Sequence, residues 1–151
     1  KKESKISLRL ILAGKNGYGF KQIKDCVNNS EFKKEINLIG YISDQEKNVL
    51  LKNASVFIFP TLYEGFGFPI LEAMSLGIPV ITSNIGSASE IAGNGALLVN
   101  PRSIDEIADS VYKLLSDGDL RENLIKKGYE NIKRFNWDES AKKILKILNE
   151  I

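Results

Sequence analysis

Two glutamates eight positions apart, Glu64 and Glu72, bracket a glycine-rich turn and the start of a helix in the stretch EGFGFPILE. Such a pair suits chemistry on a sugar-phosphate: a carboxylate on either side of an anion-binding turn accepts hydroxyl hydrogen bonds from both ends of a bound pyrophosphate. Pro69 stands where a first helical residue is expected, because its missing N–H is not needed there. Ile70, Leu71, Ala73 and Met74 then give an apolar face up to Gly77, a helix stop. The free N–H groups of a helix N-terminus attract anions, and Gly65 and Gly67 let backbone approach a ligand with no Cβ in the way. Each glutamate alone has an ordinary reading. Glu72 is expected in the first helical turn, where an acid is favourable in any protein, and a single loop glutamate such as Glu64 is usually solvated. The pair in its shared context carries the functional reading.

The elements that must position this pair follow from hydrophobic pattern. Leu8 to Ala13 reads as a buried strand, followed by a glycine loop over Gly14–Gly19 and a helix from about Phe20 to Asn28. A short strand is expected at Ile36–Ile39. Ser43 with Glu46 three residues on forms a capping box for a helix to about Asn53. An apolar, β-rich run from Ser55 to Phe59 leads into the glutamate motif and is stopped by Pro60. Strands follow at Pro79–Thr82 and Ala96–Val99, with a helical turn around Ala88–Ala92 between them. Ser103 and Glu106 make a second capping box, and helices are expected from there, over Leu120–Arg134 and over Asp138–Glu150. This alternation predicts an α/β fold, a Rossmann-like open parallel sheet with helices on both faces. Ligands of such sheets sit at the carboxyl ends of strands, and each flagged loop follows a strand, so the candidates are expected along one edge.

The pattern E-G-F-G-F-P-x-L-E-A-M-x-x-G-x-P-V-I-x-S closely resembles the E-x7-E signature of retaining, GT-B-type glycosyltransferases of family 4. The likeness extends through IGYISDQEKNVLLKNASVFIFPTLYEGFG before the motif and SEIAGNGALLVNP after it. From Leu8 to about Leu148 the chain is similar to the C-terminal, donor-binding domain of those enzymes. The resemblance implies a nucleotide-diphospho-sugar donor, with its pyrophosphate near the amides of Gly67 to Leu71 and its ribose hydroxyls on Glu72. Glu64 would be the catalytic carboxylate, beside the anomeric carbon, and Gly65, Phe66, Gly67, Phe68, Ile70 and Leu71 would surround the diphosphate. The segment Tyr41, Ile42, Ser43 would give backbone hydrogen bonds to the nucleobase, which is compatible with Ser43 also capping a helix. Gly14 and Lys15 would face the site mouth, although glycines at 14, 17 and 19 match neither the dinucleotide fingerprint nor the P-loop. Lys47 either reaches a phosphate or is solvated. The bacterial mannosyltransferases that build polysaccharides such as O-antigen in lipopolysaccharide look most similar, making GDP-mannose the first expectation and a UDP-sugar the second.

The family has a basic clamp on the pyrophosphate before the part matched here, and an acceptor-binding N-terminal domain. The resemblance therefore implies that residues 1–151 form one nucleotide-sugar-binding domain, a fragment of a longer two-domain enzyme, and that alone it turns over little. The glycan or lipid-linked acceptor would bind through the missing domain. Work in the cytoplasm is expected, at the inner face of the membrane if the full-length enzyme associates with it peripherally. A nucleotide-sugar epimerase and a non-catalytic binding module are the other classes weighed. The first would need acid-base groups around the sugar, and the second does not account for paired glutamates.

Composition limits the alternatives. With 151 residues, 43% apolar and 26% charged, the chain suits a single domain able to bury a core. Its net charge of +2, with no basic stripe interleaved with aromatics, gives no case for nucleic acid. The one cysteine, Cys26, cannot form an intrachain disulfide, and the lack of histidine removes a His-based triad or zinc site within the chain. No resident cofactor or metal is expected. Asp117-Gly-Asp119 has a metal-binding D-x-D form, but its place between two amphipathic helices reads as a turn and helix N-cap.

Overall fold

The computed structural model describes residues 8–150, in which strands and helices alternate up to the fifth strand and three helices follow. In chain order they are β1 (Leu10–Ala13), α1 (Phe20–Asn29), β2 (Ile36–Gly40), α2 (Asp44–Lys52), β3 (Phe57–Phe59), α3 (Phe68–Ser75), β4 (Val80–Ser83), α4 (Gly86–Ala92), β5 (Ala96–Val99), α5 (Ile104–Ser116), α6 (Gly118–Ile132) and α7 (Trp137–Asn149). All strand pairs are parallel: β1 with β2, and β3, β4, β5 in that order. The α/β class and nearly every element read from the pattern are present. The chain divides into two compact units, residues 1–49 and 50–151.

In the first unit β1 and β2 run in register from Leu10 opposite Ile36, with an irregularity between Leu12 and Ala13. The Gly14 N–H continues the ladder to the Gly40 carbonyl at 2.8 Å. The sequence reading of β1 as buried is corrected here: Leu10 and Ile11 are 43% and 44% exposed. A strand with one partner, in a unit whose α1 buries no residue, has too few neighbours to shield its apolar side chains.

The second unit holds the core, split by the sheet into two layers. Alternate residues of a strand face opposite sides. Val80 accordingly joins Ile70, Met74, Ala88, Ile91 and Ala92 of α3 and α4, while its neighbour Ile81 joins Val99, Leu114 of α5 and Leu124 of α6. All four residues of β4 are buried, as befits a central strand covered on both faces. Helix α3 ends in a Schellman motif: Ile78 N–H donates to the Ala73 carbonyl and Gly77 N–H to that of Met74, both at 3.0 Å. Gly77 has φ 70°, and a Cβ there would strike the Tyr129 ring. A second close approach needs Gly95 and Gly128, since a Cβ on Gly95 would come within 2.9 Å of the Gly128 Cα.

The capping boxes differ from each other. At Ser43 the box closes in both directions, with Ser43 N–H donating to Glu46 Oε2 at 2.8 Å and Glu46 N–H to Ser43 Oγ at 3.3 Å. At Ser103 only half is present: Glu106 N–H donates to Ser103 Oγ at 3.2 Å, but the Glu106 carboxylate accepts from Asn100 N–H at 2.8 Å. The reason is the turn before α5, in which Ser103 N–H is already given to the Asn100 carbonyl at 3.0 Å.

Candidate active site

The glutamate motif hangs from the carboxyl end of β3. Pro60 ends the strand, and residues 60–67 loop over to α3. Three hydroxyls from the neighbouring strand and helix hold successive carbonyls of this path. Thr82 Oγ1 donates to Phe59 O at 2.9 Å, Ser83 Oγ to Thr61 O at 2.5 Å, and Ser87 Oγ to Glu64 O at 2.5 Å. Thr61 Oγ1 adds a bond to Tyr63 O at 2.8 Å. The sequence reading missed these groups. Their one signal was a run of small polar residues, Thr82-Ser83-Asn84-Ile-Gly-Ser87, directly after a strand.

Gly67 caps α3 in the left-handed region, at φ 107° and ψ 38°, with no side chain on the helix end. A Cβ there would lie 3.2 Å from Ile70 Cδ1 and 3.9 Å from Glu64 Cγ, so the turn brings Glu64 directly against the helix start. The amides expected to face an anion are fewer than the sequence suggested. Pro69 has none, and Ile70 N–H donates to the Gly67 carbonyl at 3.0 Å, which leaves Gly67 and Phe68 at the head of the helix. The Ile70 side chain is fully buried in the core, so it can meet a ligand only through its backbone, and the Leu71 side chain is partly buried against that core. Glu72 is the clearest correction. The helix begins at Phe68, one residue before Pro69, which places Glu72 fifth, in the second turn; the first turn has no acid. Its carboxylate is therefore not a simple partner of the helix dipole.

Phe66 and Phe68 fasten this loop to the far end of the unit. Their rings meet at 4.6 Å; Phe66 also meets Phe135 edge-on at 5.8 Å, and Phe68 stacks on Trp137 at 6.1 Å. Each such aromatic pair contributes ~0.5–1.5 kcal/mol beyond burial. Between residues 61–64 and 85–88 lies a pocket of about 110 Å³, bordered by Glu64 and Ser87. Pockets that enclose a drug-sized ligand have roughly 300–1,000 Å³, so this one takes only part of a large ligand.

The other candidates belong to the first unit. Gly14 follows β1, and Tyr41, Ile42 and Ser43 follow β2, each at the carboxyl end of its strand. Lys15 Nζ lies 4.9 Å from the centre of the Tyr41 ring, and Tyr41 is 71% exposed. Lys47 pairs with Asp44 Oδ1 at 3.0 Å. Ser43 caps α2, and its hydrogen bonds hold the Glu46 carboxyl below the ordinary glutamate range, the bond from the backbone N–H first and that from the hydroxyl second. Asp117 caps α6 through Leu120 N–H at 2.9 Å, as its turn position predicted. Among the described residues no cluster of three or more His, Cys, Asp or Glu could hold a metal ion, and no helix is long and apolar enough to cross a membrane.

A parallel α/β fold with a glycine loop between a strand and an uncapped helix places the chain beside solved GT-B glycosyltransferases. It superposes on a sucrose-phosphate synthase from Thermosynechococcus elongatus with a TM-score of 0.82 at 26% identity, covering 94% of this chain and 38% of that one. It superposes on Anabaena HepE, solved in complex with UDP and glucose, with a TM-score of 0.83 at 20% identity over 95% and 40% of the two chains. In sequence it is 35% identical to O-antigen chain mannosyltransferase B of Escherichia coli over 136 residues, 90% of this chain and 36% of that protein. The sequence model of the family "Glycosyl transferases group 1" matches residues 1–131, and the chain belongs to that family. It spans between about a third and two fifths of the length of the curated relatives first matched.

Proposed function

We propose that the chain is the donor-binding part of a retaining glycosyltransferase that takes a hexose from a nucleotide-diphospho-sugar, with GDP-mannose the first candidate and UDP-sugars next. One observation supports this: a single loop brings the Glu64 side chain beside the start of α3, its Cγ 3.9 Å from where a Gly67 Cβ would stand, and the Gly67 and Phe68 amides head a helix with no side-chain cap. The identity to an O-antigen mannosyltransferase supports mannose. In this reading the diphosphate lies at those amides, Glu72 accepts from the ribose, and Glu64 accepts from a hydroxyl of the sugar. The Tyr41–Ser43 backbone takes the base, Gly14 and Lys15 face the site mouth, and Lys47 is the candidate cation for a phosphate. A glycan or lipid-linked acceptor meets the donor through the rest of the enzyme.

The chemistry follows from charge. As the bond from anomeric carbon to phosphate breaks, negative charge grows on the leaving diphosphate. Fixed amides stabilise that charge more than they stabilise the ground state. The anomeric carbon becomes cationic, and a carboxylate beside it favours that state. Retention is assigned to attack from the face the diphosphate leaves, with no metal needed to carry its charge.

The two glutamates separate under test. Glu72→Ala removes a hydrogen bond to the nucleotide in ground and transition states alike, costing ~1.5–3 kcal/mol or roughly 10- to 150-fold in nucleoside diphosphate affinity. Glu64→Ala is expected to leave that affinity within about threefold while lowering turnover of the intact enzyme ~100-fold or more. Calorimetry with GDP and UDP and steady-state kinetics read both effects. Equal losses of nucleotide binding in the two variants would rule out this division of roles.

A further inference from the structure

Ser87 is the second residue of α4, half-buried, and its hydroxyl donates to the Glu64 carbonyl at 2.5 Å. The two hydroxyls of β4 that hold this loop, on Thr82 and Ser83, are completely buried and act on Phe59 and Thr61. Ser87 differs in two respects. It acts on the peptide of the candidate catalytic residue itself, and it borders the same pocket as Glu64.

A planar trans peptide points its C=O and N–H in opposite directions. Fixing the Glu64 carbonyl on α4 therefore aims the Gly65 N–H away from α4. That N–H is met by the Glu64 side chain, from Gly65 N to Glu64 Oε1 at 3.2 Å, the long end of the N–H···O range. The space where a Cβ of Gly65 would stand is open, with nothing within 4 Å. The carboxylate is thus held loosely on its own neighbour's amide, beside room for a ligand.

We propose that Ser87 is a positioning residue for the donor sugar: by fixing the Glu64–Gly65 peptide it presents the Glu64 carboxylate and the Gly65 N–H together to one ligand. A sugar hydroxyl donates to the carboxylate and accepts from the amide, replacing the weak internal bond between them. This rests on the glycosyltransferase reading and adds the group that sets the aim of Glu64. The diphosphate, at the head of α3, is not affected by it.

The test uses the intact enzyme, with Ser87→Ala and Ser87→Thr compared to the parent. GDP-mannose and UDP-glucose serve as donors, and GDP and UDP as binding probes. Removing the hydroxyl is expected to lower kcat ~10- to 30-fold with nucleoside diphosphate affinity within about threefold, since one hydrogen bond near developing charge is lost. Ser87→Thr, which keeps the hydroxyl, is expected to stay within about threefold of the parent in kcat. Exchange of the Gly65 amide with solvent, followed by NMR, should quicken about tenfold in Ser87→Ala. A kcat within twofold of the parent at equal folded fraction, nucleotide affinity lost in step with kcat, or no rescue by threonine would each overturn the proposal. An intact enzyme that transfers sugar from neither donor would remove the functional reading. The Gly65 exchange rate would then still decide on Ser87, and an unchanged rate would refute the peptide-fixing role.

Discussion

Each of the two units has a four-residue strand rich in apolar or β-branched residues, and the two strands differ in how well they are shielded. β1 reads Leu-Ile-Leu-Ala and β4 reads Val-Ile-Thr-Ser, yet every residue of β4 is buried and none of β1 or β2 is. The first strand is the more apolar of the two. What differs is the number of neighbours: β4 has a strand on each side and helices over both faces, whereas β1 has one strand partner. Shielding is a property of the layer arrangement and not of the strand's own composition. For function this means that Glu64 and the head of α3 are held by a core, while Gly14, Lys15 and Tyr41–Ser43 hang from a thin scaffold. The loop that carries Glu64 is therefore held more firmly within its unit than the loops after β1 and β2 are within theirs.

The largest effects should come from deleting matched apolar side chains in the two strands. Ile81 is completely buried, and Ile81→Ala is expected to cost ~2–5 kcal/mol through lost transfer energy and an unfilled cavity. Ile11 keeps 44% of its surface in water, and Ile11→Ala is expected to cost less than ~1.5 kcal/mol. Urea unfolding of both variants reads the difference. Similar costs would erase the contrast between the units.

Glycine substitutions sharpen the comparison, because Gly40 and Gly77 have nearly the same positive φ, 71° and 70°. At Gly40 no atom lies within 4 Å of the place a methyl would take, so Gly40→Ala adds only left-handed strain, ~1–2 kcal/mol. At Gly77 the Tyr129 ring must also move, Cζ lying 3.2 Å from the new carbon. Overpacking adds ~1–3 kcal/mol to the same strain, so Gly77→Ala is expected to cost ~2–5 kcal/mol. Tyr129→Phe removes the oxygen nearest the clash and should recover part of that loss. A Gly77→Ala cost equal to that of Gly40→Ala would show that the second unit yields as easily as the first.

What could be read in the sequence was what depends on near neighbours. The order of strands and helices follows from period and from breakers such as Pro60 and Gly77, and it stands. The Ser43 box is complete because the Glu46 carboxylate accepts from the Ser43 N–H three residues back. The Ser103 box is only half formed because its glutamate found a donor six residues back, in a turn the sequence did not announce. Glu72 stands one residue further into α3 than Pro69 alone indicates, because the helix starts at Phe68. The hydroxyls of Ser83 and Ser87 meet carbonyls 22 and 23 residues away, and the Phe66 and Phe68 rings meet Phe135 and Trp137. Those contacts are made by the fold, and the only local trace of them is the run of small polar residues after β4.

The smallest expected effect separates the same units by pH. The Glu46 carboxyl is held below its ordinary range by the Ser43 backbone N–H and hydroxyl, so folding favours its charged form. A carboxyl lowered on folding contributes stability above its unfolded value and loses it as pH falls through the lowered one. The contribution of this box is therefore complete at neutral pH, declines below about 4.3, the ordinary glutamate value, and is gone below the lowered one. Glu46 is fully exposed, so salt should weaken the effect. A difference in melting temperature between the parent and Glu46→Ala is expected at pH 7 and should shrink steadily as pH falls below the ordinary glutamate range. A difference that persists in acid would show that Glu46 supports α2 through packing and not through the charged cap.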